Sequence, residues 1–189
     1  ISLYKKTPKE IAKMLIDAVY KETGITAAVG IGTNLYLTKI ALDITAKKAP
    51  DHIGYLDEEL FRETLWTHRP ITDFWGIASG TANRLAKLAI YDMRGVANCP
   101  EELLYKRFGI NAELLIDHAW GRESCTMKDI KSYKSKSKSI SSSQILMKDY
   151  SFNEAAVVMS EMTLAGCHRL MSEHIITKGI SIYVGYSKD

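Results

Sequence analysis

The chain has 189 residues, of which 46% are hydrophobic and 25% are charged, and this composition is typical of a folded soluble protein. The length allows one ordinary domain or two or three small ones, and the formal net charge of +3 identifies no partner by itself. No apolar run is long enough for a transmembrane helix or a signal peptide, so we expect neither.

The first helix is predicted from its caps. Thr7 and Glu10 form a capping box with Pro8 at the first helical position, and Gly24 ends the helix. Its apolar positions form one stripe, which we expect to face a core: Ile11, Leu15, Ala18 and Val19.

A helix–strand–helix unit follows from the next segment. Residues 25–32 predict a short buried strand, and residues 33–48 predict a second helix capped by Thr33. The apolar face of this helix consists of Leu37, Ile40, Ala41 and Ile44. The unit is typical of an α/β or α+β layer, although the sequence shows no partner for its single strand.

Short helices without strands are predicted over residues 57–121. Asp57 caps the first of them. The last two are bounded by Pro100 and Gly109, and by Asn111 and Gly121. Residues 66–121, with four or five short helices and no strand, therefore predict a small all-helical module.

Within this module, residues 79–98 predict two short helices joined by a tight turn, the second capped by Asp92. A glycine-bearing loop precedes the first helix, as in a helix-hairpin-helix, so the backbone can approach a ligand and the helix amides can hold a phosphate oxygen. The candidate DNA-binding residues here are Gly76, Ile77, Ala78, Ser79, Gly80, Thr81, Arg84 and Lys87. An ordinary helical corner with glycine caps is the alternative, and the hairpin alone does not decide between them.

The remaining third of the chain begins with a polar, basic and serine-rich linker over residues 122–138. Its lysines alternate with serines, so in an extended strand Lys134, Lys136 and Lys138 would share one face and could follow a DNA backbone. A solvated tether is the alternative. Beyond it, Ser151 caps a long helix, and residues 179–186 alternate like a strand, which predicts a partial βαβ unit.

Several single residues carry structural predictions. We expect the three tryptophans to be buried in the core and two histidines to lie on the surface: Trp66, Trp75 and Trp120, and His118 and His174. The three cysteines are far apart and form no C-x-x-C pair: Cys99, Cys125 and Cys167. Free thiols predict a reducing, cytoplasmic location. Because the chain begins with Ile1 rather than Met, we expect a segment of a longer protein.

Three stretches, in this order, resemble the Y-family DNA polymerases, which bypass DNA lesions at low fidelity: "VGIGTNLYLTKIALDITAKK", "FWGIASGTANRLAKLAI" and "KSKSISSSQIL". The matching positions of the first two are Gly30, Ile31, Asn34, Leu37, Lys39, Ala41 and Asp43, and then Gly76, Ile77, Thr81, Leu85 and Ile90. The stretches "ALDITAKK" and "DFWGI" are most similar to the UmuC and UvrX branch, the ImpB, MucB and SamB family.

The resemblance implies a mainly helical α+β fold in four segments. Residues 1–65 would be the end of the palm, 66–121 an all-α thumb with the helix-hairpin-helix, 122–138 the basic linker, and 139–189 the first half of the little finger. We expect residues 1–50, 66–121 and 139–189 to form three separate packing units.

The resemblance also implies a function. The parent protein would be a DNA-directed DNA polymerase of DNA repair and the SOS response, with DNA, dNTP and the replication sliding clamp as partners and two Mg²⁺ ions bound outside this segment. Lys39, Lys47 and Lys48 would contact the nucleotide triphosphate. The alternatives are an i, i+4 pair of Lys39 with Asp43 and the preference of cations for helix C-termini.

Departures from the family pattern limit the prediction. Leu35, Ala78 and Ala89 stand where the family usually has Lys, Gly and Gly, and no D-x-D or S-x-D-E motif occurs. We therefore predict neither catalytic nor metal-binding residues in this chain, and no activity of the chain alone. A non-catalytic helix-hairpin-helix module that recruits partners and a purely structural helical protein remain alternatives. The sequence that precedes Ile1 would discriminate between them.

Overall fold

The computed structural model describes residues 4–135 and 139–187. The described residues divide into two compact units, with the boundary between Tyr133 and Lys134. The first unit contains α1 (Pro8–Thr23), β1 (Val29–Gly32), α2 (Leu35–Ile40) with a π-helical turn (Ala41–Thr45) and a 3-10 turn (Ala46–Lys48), β2 (Ile53–Leu56), α3 (Glu58–Leu65), a 3-10 turn (Ile71–Asp73), α4 (Ser79–Ala86), α5 (Met93–Ala97), α6 (Glu101–Phe108), α7 (Asn111–Ala119) and α8 (Met127–Ser132). The second unit contains α9 (Phe152–Ser172).

The predicted strand has a partner that the sequence did not indicate. β1 and β2 form a two-stranded parallel sheet in which Val29 lies opposite Ile53 and Gly32 opposite Leu56. The α2 segment between them makes the crossover that a parallel pair requires. β2 has only four residues, one of them glycine, so its composition is a weak strand signal.

Helix α2 lies directly on this sheet. A Cβ added at Gly30 would be 2.2 Å from the Thr38 carbonyl oxygen, and one added at Gly54 would be 2.3 Å from the Ala41 carbonyl oxygen. Both distances are far below van der Waals contact, so glycines in both strands are what allow the helix backbone to approach.

The cap of α2 is Asn34, so the prediction of Thr33 was wrong. The Asn34 carboxamide accepts a hydrogen bond from the Leu37 N–H at 2.8 Å and donates one to the Gly121 carbonyl at 2.8 Å. The Thr33 N–H instead donates to the Leu56 carbonyl of β2 at 3.3 Å. This bond ties Thr33 to the sheet, so the helix starts one residue later.

Helix α1 has the predicted ends, with the Thr7 cap and Gly24 at φ 70°. The burial of its stripe was predicted wrongly, because Leu15 and Val19 are 54% and 41% exposed. The buried position is Ala12, at 3% exposure. Ile11 and Ile16 are half-buried, so much of the apolar face of the helix stays in contact with solvent.

One hydrophobic core extends from α2 to α7, and the predicted short helices of residues 57–121 are confirmed. The ring of Phe61 contacts both Tyr36 and Phe74 edge-on, each at a centroid distance of 6.1 Å. The expectation that residues 1–50 and 66–121 pack separately was therefore wrong, since their apolar side chains share one core. Residues 134–189 do form a unit of their own.

The predicted linker contains a helix. Thr126 and Asp129 form a capping box at the start of α8, which occupies part of the segment 122–138. The local cap explains why a short helix forms in a polar stretch.

In the second unit, α9 begins at the predicted Ser151 capping box. The predicted βαβ unit was wrong, because the described residues 139–187 contain no strand and no buried residue. Ile180 and Ile182 of the predicted strand are 80% and 64% exposed. A strand needs a neighbour for its backbone hydrogen bonds, and no described residue pairs with this segment.

Candidate nucleic-acid interface

The loop before α4 is a tight turn with its tip in solvent. The Ile77 N–H donates to the Phe74 carbonyl at 3.1 Å. Gly76 has φ 89°, which the third residue of a type II turn requires and which L side chains rarely adopt. Phe74 and Ile77 are buried in the core, at 1% and 5% exposure, and Trp75 is exposed. The turn is thus anchored at both ends.

The first turn of α4 has open amides. Its N-cap position is Ala78, which provides no side-chain acceptor. Among the described residues, no hydrogen bond uses the Ser79 or Gly80 amide. A Cβ added at Gly80 would meet nothing within 4 Å. The amides that α4 leaves free are therefore accessible to an anion.

The two cations of α4 lie away from these amides. Arg84 is in the last turn, where its guanidinium stacks over the Phe108 ring at 4.7 Å. Lys87 is the exposed C-cap residue, roughly 12 Å along the helix from Ser79 at 1.5 Å per residue. The structure thus groups the loop and the first turn of α4, while the cations extend the surface along the helix.

The second half of the hairpin is fixed by Asp92. Its Oδ1 accepts from the Gly95 N–H at 2.9 Å, and its Oδ2 lies 2.8 Å from Nη2 of Arg69. Burial acts to raise the pKa of Asp92, but the Arg69 hydrogen bond and the Gly95 amide outweigh it and hold the pKa below its usual value. Ala89, at a position where glycine is usual, has φ 58°. The predicted pair of helices with its Asp92 cap is confirmed as local structure.

The candidate nucleotide-binding lysines lie on the α2 segment. Lys39 forms an i, i+4 ion pair with Asp43, with Nζ 2.9 Å from Oδ2. Lys47 and Lys48 are exposed in the 3-10 turn that ends the segment. A π-helical turn separates them from Lys39, and such turns are frequent at functional sites.

The structure describes only one of the three candidate lysines of the linker. Lys134 is exposed. Lys136 and Lys138 lie outside the described residues.

No group of three or more His, Cys, Asp or Glu side chains within residues 4–135 and 139–187 is arranged to hold a metal ion. The acidic residues of this part of the chain do not fit a two-metal site, so no catalytic step is assigned to them. None of the helices in the described ranges is both long and apolar enough to cross a membrane.

Sequence reasoning missed an aromatic cluster that backs the loop. His118 was predicted on the surface but is 4% exposed, and Trp75 was predicted in the core but is 53% exposed. The His118 ring stacks on Tyr36 at 3.8 Å and lies 6.1 Å from Trp75, centroid to centroid. Nε2 of His118 is 3.0 Å from Oε2 of Glu123. No local pattern predicts this, because the residues come from three separate segments, around residues 36, 75 and 118–123.

The chain is similar in sequence to proteins of a known family. Residues 2–43 match the model of the impB/mucB/samB family. The chain is 33% identical over 187 residues to the putative UV-damage repair protein UvrX of Bacillus subtilis, covering 98% of this chain and 44% of that protein. It is 33% identical over 181 residues to the DNA repair protein homolog YobH of the same organism, covering 95% of this chain and 82% of YobH.

A third relative is DNA polymerase IV 2 of Bacillus subtilis, at 32% identity over 93% of this chain and 42% of that protein. The chain thus spans less than half the length of UvrX and of this polymerase. Among solved structures, an insertion ternary complex of Dbh DNA polymerase matches with a TM-score of 0.52 at 26% identity, over 62% of this chain and 33% of that one. A Y-family polymerase chimera of Dbh and Dpo4 matches with the same TM-score at 25% identity, over 62% of this chain and 33% of the other.

Proposed function

Because the chain belongs to the impB/mucB/samB family of Y-family DNA polymerases, we propose that it is the DNA-binding portion of a lesion-bypass DNA polymerase that acts in DNA repair. Residues 1–65 form the end of the palm, 66–121 the thumb, 122–138 the basic linker, and 139–189 the first half of the little finger. In this proposal the chain holds the phosphate backbone of a primer–template, and nucleotidyl transfer is assigned to residues outside it.

The observation that carries the proposal is the open first turn of α4. The Ser79 and Gly80 amides have no acceptor among the described residues, no side chain caps them, and the space beside Gly80 is empty. An anionic oxygen satisfies such amides and is favoured by the helix dipole. The Ser79 and Thr81 hydroxyls, Arg84 and Lys87 extend the contact along α4. Lys134, Lys136 and Lys138 form a second contact in the linker.

The lysines of the α2 segment have a separate proposed role. Lys47 and Lys48 are exposed cations at the end of the segment, and Lys39 is partly held by its ion pair with Asp43. We assign all three to the triphosphate of the incoming nucleotide.

DNA titration by fluorescence anisotropy at several salt concentrations tests the phosphate contacts. With roughly three to five phosphates neutralised, the slope of log K against log salt on duplex DNA is expected at about −2.7 to −4.5. Affinity should be on the order of 10⁻⁴ to 10⁻⁶ M at physiological salt and indifferent to sequence. Replacing Lys136 and Lys138 with Ala should flatten the slope by up to about two units.

Gly80→Val tests the amides directly. The valine side chain would block the approach of a phosphate, so affinity should fall with little change in slope. Gly166→Val is the matched control, because Gly166 is also helical and also faces open space. Absence of binding by the unchanged chain at low salt, or a marked preference for one sequence, would contradict the proposal.

The second candidate function is a non-catalytic DNA-binding module that recruits partners. It is favoured by the YobH comparison, in which the chain covers 82% of the relative. Primer extension separates the two candidates. The polymerase portion should restore magnesium-dependent extension only as part of a longer protein with the missing carboxylates, whereas the module should not support extension in any such protein.

A further inference from the structure

Trp75 is an exposed aromatic ring on a rigid support. Its neighbours in the turn, Phe74 and Ile77, are buried anchors, and the turn is closed by the 3.1 Å hydrogen bond between them. Gly76 takes the positive φ that completes the turn. The backbone on both sides of Trp75 is therefore fixed, and its ring is 53% exposed at the tip.

The inner side of the Trp75 ring is supported by His118. The two ring centroids are 6.1 Å apart with an interplanar angle of 44°. His118 is held in turn by its stack on Tyr36 at 3.8 Å and by Glu123 at 3.0 Å. A ring supported in this way loses little conformational freedom when a ligand stacks on its outer face.

The exposed ring lies next to the open amides. Ser79 is four positions after Trp75, so their Cα atoms are at most about 14 Å apart. One short nucleic-acid strand can therefore contact both. Aromatic rings beside phosphate-binding groups are the combination that binds single strands, since every base has a face that can stack.

We propose that Trp75 stacks on an unpaired base of a single strand or primer–template junction whose phosphate is held by the Ser79 and Gly80 amides. The inference rests on the proposed function and adds to it a contact with a base. With this contact the loop would bind single-stranded DNA in preference to duplex, because paired bases are already stacked on their neighbours in a duplex.

The test compares Trp75→Ala and Trp75→Phe on a labelled oligothymidine and on a blunt duplex of the same length. Trp75→Ala should weaken binding to the single strand by about 5- to 150-fold, the range of one base–aromatic stack. Binding to the duplex should change less than about 2-fold, and the salt slope should stay the same because indole carries no charge. Trp75→Phe should keep most of the affinity, since a phenyl ring can still stack.

Tyr91→Ala is the matched control. Tyr91 is 49% exposed on the same hairpin, but it lies beyond the opposite end of α4 from the open amides. Its replacement should leave binding to the single strand unchanged. Tryptophan fluorescence should be quenched by the oligothymidine in the unchanged chain, and this quenching should be lost in Trp75→Phe.

The outcomes separate the two proposals. If the unchanged chain binds no DNA at low salt, the proposed function fails and this inference with it. If the unchanged chain binds but Trp75→Ala binds the single strand equally well, or loses both DNAs equally, only the stacking inference fails. Should Trp75→Ala not fold by circular dichroism, Trp75→Leu replaces it. Leucine keeps apolar bulk without an aromatic face and is expected to show the same selective loss.

Discussion

Replacing Tyr36 with Phe should stabilise the first unit. The Tyr36 side chain is 1% exposed, and its hydroxyl has no hydrogen-bond partner among the described residues. Burial in this environment raises the pKa of Tyr36, since the charged form is strongly disfavoured. Both ring contacts, the stack on His118 and the edge contact with Phe61, remain possible for phenylalanine.

The magnitude follows from the loss of one oxygen atom. An unpaired buried hydroxyl costs about 1–3 kcal/mol, and the space left by one atom costs a few tenths of a kcal/mol at about 24 cal/mol per Å³. Tyr36→Phe should therefore raise the free energy of unfolding by about 1–2 kcal/mol, with Tm about 2–4 °C higher per kcal/mol for a chain of this size.

Urea denaturation followed by tryptophan fluorescence measures this change. Trp66, Trp75 and Trp120 are the only tryptophans and all lie in the first unit, so the signal reports that unit. Tyr55→Phe is the control, because its hydroxyl is 3.2 Å from an Asp57 carboxylate oxygen and its side chain is exposed. A loss of 1 kcal/mol or more in Tyr36→Phe would refute the reasoning, since the hydroxyl would then have a partner.

Three further changes test the fold. Burial lowers the pKa of His118, so the unfolded chain takes up a proton at higher pH than the folded chain, and stability should fall as the pH drops below about 6.5. For one proton, the free energy of unfolding falls by at most about 1.4 kcal/mol per pH unit. In urea titrations between about pH 6.5 and 4.5, His118→Gln should make this fall smaller. Gly54→Ala should lower the free energy of unfolding by about 1–3 kcal/mol or more in the same assay, because its Cβ would lie 2.3 Å from the Ala41 carbonyl oxygen. An unchanged urea midpoint would contradict the close packing of the helix on the sheet. Ala89→Gly should raise the free energy of unfolding by about 0.5 kcal/mol, because relief of the left-handed φ of 58° slightly exceeds the entropy that glycine adds to the unfolded chain. A lower Tm would show that the position is not strained.

The sequence by itself determined the local features of this protein. The caps Thr7, Asp57, Asp92 and Ser151 were predicted correctly, because each side chain bonds an amide three residues away and needs no distant partner. The order of helices over residues 57–121 followed from the same signals. The family resemblance also depended on short contiguous motifs.

Only the tertiary structure decided the rest. The sequence could not show that β2 pairs with β1, that His118 is buried on Tyr36, or that Trp75 points to solvent. Each of these depends on contacts between residues far apart in the chain. The strand predicted over residues 179–186 was wrong for the same reason. Its alternation is a strand pattern, but a strand forms only where a neighbour accepts its backbone hydrogen bonds.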